Sequence, residues 1–231
     1  MKKQSIWKQN LRQYAILGVL VLLIVFFSLM QSTFLQVGNI MNILRQISVM
    51  GIVAVGSTFV LLSGGLDLSV GSLIAVTTTL TGVLMVNAGM DPWLAALVGI
   101  LASMLLGFVN GLLVQFVQLP PMIATLGIMT SARGVAYLIS GGLPVYNLPE
   151  TMKFLGKGSV GVIPVPVIIM LICFAIGWVV LEKTYFGKYF YALGGNAEAT
   201  RLAGISVSFY RVLSYVISGF SCGVAGIVML Y

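Results

Sequence analysis

The chain has 231 residues, 59% of them hydrophobic and only 7% charged, with a mean hydropathy of +1.10. That composition excludes a soluble globular domain and asks for several helices that cross a membrane. The formal net charge of +7 does not point to nucleic acid, because the basic residues sit in short clusters beside apolar runs, where they set topology and meet anionic lipid.

A helix needs roughly 20 apolar residues to cross the hydrocarbon core. Runs at 14–29, 49–62, 70–86, 93–117, 122–139, 165–181 and 212–231 are predicted as spans, which makes about seven and an all-α, polytopic membrane protein with one transmembrane domain over 1–231. The first run follows the basic stretch KKQSIWKQNLR but has no small-x-small cleavage pattern after it, so it reads as an uncleaved span. Pro92, Pro120, Pro121, Pro144, Pro149, Pro164 and Pro166 all fall between spans or in a first turn, where a missing N–H costs little. Cys173 and Cys222 lie in apolar runs and read as buried free thiols. With the N-terminus inside, Lys2, Lys3, Lys8, Arg12, Lys183, Lys188, Arg201 and Arg211 fall on the inner side, against Arg45, Lys153 and Lys157 outside. The 182–211 loop is then cytoplasmic, and the Gly- and Pro-rich 140–163 loop is external.

The 182–211 loop gathers six charged residues and carries the marks of one short helix. Gly194 and Gly195 supply a turn, Asn196 is an N-cap, Glu198 falls in the positive first turn, and Gly204 is the stop. Ala197, Leu202 and Ile205 offer an apolar patch, and Glu198 and Arg201 are spaced to pair. A short capped helix between two spans suits docking to another protein.

The stretch 62–72, LSGGLDLSVGS, is a second site. Gly64 and Gly65 break one helix, and the Asp67 carboxylate is placed to accept from amides near Ser69 and Val70 at the start of the next, close to Gly71. Two readings stand: a tight turn with a structural cap, or a broken helix that marks a transport pathway. Arg133 is an intramembrane charge that either serves function or snorkels, or takes Asp67 as a partner. Thr77, Thr78, Thr79, Thr81 and Asn110 either line a route or hydrogen-bond locally and between helices. Gly219-Phe-Ser-Cys-Gly223 matches a hydrolase elbow, but the chain has no histidine to complete a triad. Gly219 with Gly223, and Gly107 with Gly111, instead form the G-x-x-x-G spacing of helix packing. No phosphate-binding loop, paired carboxylates or metal-ligand cluster occurs, so no catalytic site, metal or cofactor is expected.

Three stretches in order, LSGGLDLSVGS, PPMIATLGIMTSARGVAYLISGG and TYFGKYFYALGGNAEATRLAGI, resemble the permease subunits of ribose-type (monosaccharide) ABC importers. The resemblance runs from about Phe34 to the end. It implies a homodimeric permease of the bacterial inner membrane, without enzyme activity of its own, that passes a monosaccharide from an external sugar-binding protein and is driven by separate ATPase subunits. It also implies that the segment 194–205 is the coupling helix that seats on the ATPase. Members of this family continue past the point where this chain stops, so the chain is expected to be a C-terminally truncated member, with the Gly219 and Gly223 face of its seventh span turned to lipid. An ATP-independent secondary transporter or channel, and a non-transporting fragment, are the alternatives.

Overall fold

The computed structural model describes residues 6–230, and their side chains from 15 onward. The side chains of the basic cluster Lys2, Lys3, Lys8 and Arg12, and the last predicted span's final residue, Tyr231, lie outside the described residues. The helices are α1 (Ile6–Met30), α2 (Val37–Leu62), α3 (Val70–Val86), α4 (Pro92–Gln115), α5 (Pro121–Ser140), α6 (Glu150–Lys157), α7 (Val165–Lys183), α8 (Tyr185–Gly195), α9 (Ala197–Leu202) and α10 (Val207–Val228). A two-residue hairpin, β1 (Ser159–Val160) against β2 (Ile163–Pro164), precedes α7. Each predicted run is helical, so the chain is an all-α, multi-pass membrane protein. By length and composition α2, α4, α5, α7 and α10 are each sufficient to cross a membrane. At 17 residues α3 is about 26 Å long, somewhat short of a hydrocarbon core of about 30 Å.

Residues 1–44 and 45–231 form two compact units. In the first, the side chains of Ala15–Met30 are almost all exposed, as a lipid-facing surface requires, and Phe27 stacks on Phe34 at 5.8 Å between ring centres. The turn after α1 is closed by Gln31 N–H donating to the Phe27 carbonyl at 2.9 Å.

The second unit is built around α10. Two thirds of the central stretch of α10 is buried inside the protein, against 22–33% for the other long apolar helices. What lets it go there is the absence of side chains along its seam with α4. A Cβ at Gly219 would meet the Ser103 carbonyl and the Met104 backbone, and one at Gly223 the Ile100 backbone; on α4, one at Gly107 would meet the Tyr215 carbonyl and one at Gly111 the Val212 backbone. In lipid there is no hydrophobic drive to bring helices together, so close backbone approach and the hydrogen bonds it permits supply the attraction. Ser103 Oγ donates to the Gly219 carbonyl at 2.7 Å across this seam. The expectation that Gly219 and Gly223 turn to lipid is therefore wrong: α4 covers them.

The same device seats the neighbours. Gly226 of α10 and Gly99 of α4 lie against Thr77 of α3, whose hydroxyl reaches both its own Leu73 carbonyl and the Gly99 carbonyl, while Gly56 of α2 faces Ser218 and Ser221 of α10. Ala132 and Ala136 pack α5 on Val76 of α3. Cys222 is buried in this core, whereas Cys173 on α7 is only half-buried.

The structure corrects three boundaries. Helix α2 begins at Val37 rather than at 49, because Asn39, Asn42, Arg45 and Gln46 lower the hydropathy of its first turns without breaking the helix. The 140–163 loop is not irregular: it holds α6 and the hairpin, with Met152 and Gly156 of α6 buried on one side. Amphipathic helices this short leave no long apolar run to detect. The 182–211 loop holds two helices, not one.

Gly219→Val is expected to destabilise the purified protein by about 1–3 kcal/mol, the usual cost of overpacking, because the added methyls fall on the α4 backbone. Gly134→Ala, on the open face of α5, is the control and should leave thermal unfolding in detergent unchanged.

Candidate functional site: the helix break and the loop seated on it

Helix α2 ends in a Schellman turn. Gly64 takes φ +78°, a conformation that costs residues with a Cβ, while Gly65 N–H donates to the Val60 carbonyl at 2.9 Å and Gly64 N–H to the Leu61 carbonyl at 3.0 Å. The chain then runs without regular structure to Ser69, the N-cap of α3.

Asp67 organises this break, with the Ser69 amide as expected and with further donors that were not. One carboxylate oxygen accepts from the Ser69 amide at 2.9 Å and the Ser69 hydroxyl at 2.6 Å; the other accepts from the Ser218 hydroxyl on α10 at 2.7 Å. Val70 N–H is not one of its donors. The carboxylate thus closes a turn ahead of α3 and ties it to a helix 151 residues away in sequence. Ser69 Oγ in turn accepts from Asn110 Nδ2 of α4 at 2.9 Å, and Tyr215 Oη of α10 donates to the Leu66 carbonyl at 3.4 Å. The Ser63 and Ser214 hydroxyls meet at 3.0 Å. Asn110 therefore joins helices here rather than standing free to line a route. Among the described residues, the Oδ1 atom of Asn110 and the Ser72 hydroxyl are buried without a hydrogen-bond partner. Gly71 is exposed in the first turn of α3.

Arg133 does not pair with Asp67. It is exposed on α5; on α10 it is Arg211 that is engaged, donating to Gln115 Oε1 at 2.9 Å, while Gln115 Nε2 donates to Ser208 at 2.9 Å. Nothing in the sequence singled out Ser218, Tyr215 or Gln115, since each acquires its role only when α10 packs.

The loop after α7 lies at the same end. Thr184 caps α8, accepting from the Gly187 amide at 3.4 Å, and Gly187 approaches the Leu181 carbonyl so closely that no side chain would fit. On the inner face of α8, Phe190 is fully buried and meets Phe59 of α2 edge-on at 5.2 Å and Tyr210 of α10 at 5.5 Å. Gly194 and Gly195 form the last turn of α8, not the free turn expected, and a Cβ on Gly194 would strike the Leu62 carbonyl at the end of α2. The change of direction falls on Asn196, with φ −158° and ψ 102°, whose side chain accepts from the Ala199 amide at 2.9 Å and caps α9 as predicted. Gly204 takes φ +82° and stops α9. Glu198 and Arg201 pair at 2.7 Å; the hydrogen bond from Arg201, and then its charge, hold the Glu198 carboxyl below its usual range and raise the guanidinium correspondingly. Because the depressed group is an acid, the pair persists at neutral pH and is lost on acidification through the lowered value. Both partners are exposed, so the pair contributes little to stability. Leu202 is 78% exposed, while Ala197 and Ile205 are half-buried, so the apolar patch on α9 is chiefly one leucine.

Asp67→Ala leaves the Ser69 and Ser218 hydroxyls without an acceptor and is expected to cost about 1–3 kcal/mol of stability. Asp67→Asn keeps one accepting oxygen for Ser69 and turns its amide to Ser218, so it should be milder. Denaturant unfolding of both variants in detergent checks the order.

Residues 39–231 match the family model described as branched-chain amino acid transport system / permease component. The chain is 40% identical to the ribose import permease protein RbsC of Bacillus subtilis (strain 168) over 215 residues, 92% of this chain and 66% of that protein. It is 41% identical to the RbsC of Haemophilus influenzae over 91% of this chain and 66% of that protein, and 39% identical to the D-allose transport system permease protein AlsC of Escherichia coli (strain K12) over 90% and 64%. The chain thus spans about two thirds of the length of these relatives. No solved structure matches it. With most of its length matched by the family model and by these relatives, the chain belongs to the family of permease components of branched-chain amino acid transport type, and within it to the ribose-type sugar permeases.

Proposed function

We propose that this chain is the membrane-spanning subunit of an ATP-driven sugar importer, passing a monosaccharide of the ribose type from an external binding protein to the cytoplasm. The relatives it matches are permease proteins, and on this reading the energy comes from separate ATPase subunits. The observation that carries this reading is α9: a helix capped by Asn196 and stopped by Gly204, with Leu202 exposed, standing on a loop that bears Lys183, Lys188, Arg201 and Arg211. Basic residues concentrate on the cytoplasmic side of membrane proteins. The loop 182–211 is then the cytoplasmic coupling loop of a single permease domain, and Gly194, Gly195, Asn196, Glu198, Arg201, Leu202, Gly204 and Ile205 are its ATPase-coupling residues, with α9 making the contact. Lys183 over the Trp178 ring at 5.2 Å and Lys188 over Tyr185 at 5.3 Å fit the lipid interface beside it.

On this reading the N-terminus is cytoplasmic, the membrane is a bacterial inner membrane, and a second copy of the permease completes the pathway. The opposite end, with α6 and the hairpin, faces the binding protein. The choice among sugars follows the relatives' names: ribose first, then D-allose.

Leu202→Asp should abolish ATP-dependent uptake while leaving the protein inserted at normal levels, since a charge buried unpaired at a docking surface costs on the order of 2–5 kcal/mol. The check is uptake of labelled ribose in cells that also express the neighbouring ATPase and binding protein. Normal uptake by the variant would remove α9 as the coupling contact.

A further inference from the structure

On the inner face of α8, Gly187, Phe190 and Leu193 are buried, and its last turn rests on the end of α2. That contact is backbone on backbone. At Gly194 there is no side chain whose rotation could take up a displacement, so a movement of α8 toward α2 is delivered directly to the Leu62 carbonyl. Phe190, wedged between Phe59 and Tyr210, keeps α8 from sliding along α2 instead.

The segment from Ser63 to Ser69 has little slack of its own. Ser63 is bonded to Ser214, Gly65 lies against the Tyr215 ring, the Leu66 carbonyl accepts from Tyr215, Asp67 from Ser218, and Ser69 from Asn110. A shift imposed at Leu62 is therefore shared with α3, α4 and α10 together, at their ends on this side of the bundle. In a close-packed protein such ties move as a unit or change partners; they do not stretch.

From this geometry we propose that Gly194 is the relay point of the transporter: α9 takes the partner's movement, and the Gly194–Leu62 contact passes it to the Asp67 helix break, whose hydrogen bonds to α10 and α4 carry it into the spans. This rests on the reading of the chain as an ATP-driven permease. Gly194 is a positioning residue, acting through the break and touching no substrate. Gly134 on α5 is the control, because a Cβ there also meets open space and the residue lies outside the coupling segment.

The test uses the assembled complex of permease, ATPase and binding protein in proteoliposomes. Leu68 is a partly exposed break residue and its side chain has no hydrogen-bonding role, so Leu68→Cys reports on the break through its rate of maleimide labelling, corrected for labelling of the parent chain. In the otherwise unaltered permease, adding a non-hydrolysable ATP analogue should change that rate at least threefold. Gly194→Ala should abolish the change and lower uptake tenfold or more while the ATPase still co-purifies at the parental ratio; Gly134→Ala should keep both within twofold. A nucleotide response that survives in Gly194→Ala, or one lost equally in Gly134→Ala, overturns the relay. A Gly194→Ala permease that no longer holds the ATPase also overturns it, because the residue would then serve docking. Failure of the unaltered complex to take up sugar with ATP would sink the permease reading itself, a result distinct from all of these.

Discussion

Everything in the larger unit depends on how closely α10 and α4 approach. In water, two apolar helices come together because water is released; in lipid that gain is absent, and contact, hydrogen bonding and shape must suffice. Glycines at 107, 111, 219 and 223 bring the two backbones together, and Ser103 adds a hydrogen bond across the seam. Once α10 sits there, it lies within reach of α2, α3 and the helix break. Ser218, Tyr215 and Ser214 can then satisfy the polar groups that a broken helix leaves exposed. Without the seam, Asp67 would keep the two donors of Ser69 and lose the one that ties it to α10, the Ser218 hydroxyl.

That dependence explains why the break is so heavily bonded. Irregular backbone is tolerated at membrane depth only where protein or water satisfies it. Here hydroxyls and an amide side chain from α10 and α4 perform that task, and the carboxylate takes three donors. The same set of bonds that makes the break stable also couples it to the spans on either side. A segment built this way is well suited to hand on a displacement, and α8 is packed directly against its upstream end.

How much of the fold and the site was legible in the sequence depends on the range of each interaction. The spans were legible because apolar runs are local, and prolines marked the beginnings of α4, α5 and α7. So were Asn196 as a cap, Gly204 as a stop and the Glu198–Arg201 pair, all of which are decided within a single turn of helix. The G-x-x-x-G spacings pointed to packing faces, though not to their partners, and the partner proved to be α4. The non-local contacts stayed hidden. Ser218 is an ordinary serine in an apolar helix until it meets Asp67, and Arg133, the obvious charged partner, lies exposed on α5. Helix α8 escaped notice because its aromatic residues and paired glycines resemble a loop until Phe59 and Tyr210 enclose Phe190.

If the chain is a driven permease, α9 must face the cytoplasm and meet a soluble driving subunit there. The most direct measurement is labelling of a Leu202→Cys permease, corrected for the parent chain, by a membrane-impermeant maleimide in membrane vesicles of both orientations. Rapid labelling is predicted in inside-out vesicles stripped of the ATPase, none in right-side-out vesicles, and protection when the ATPase is added back. Labelling from the external side, or labelling indifferent to the ATPase, would contradict this placement of α9.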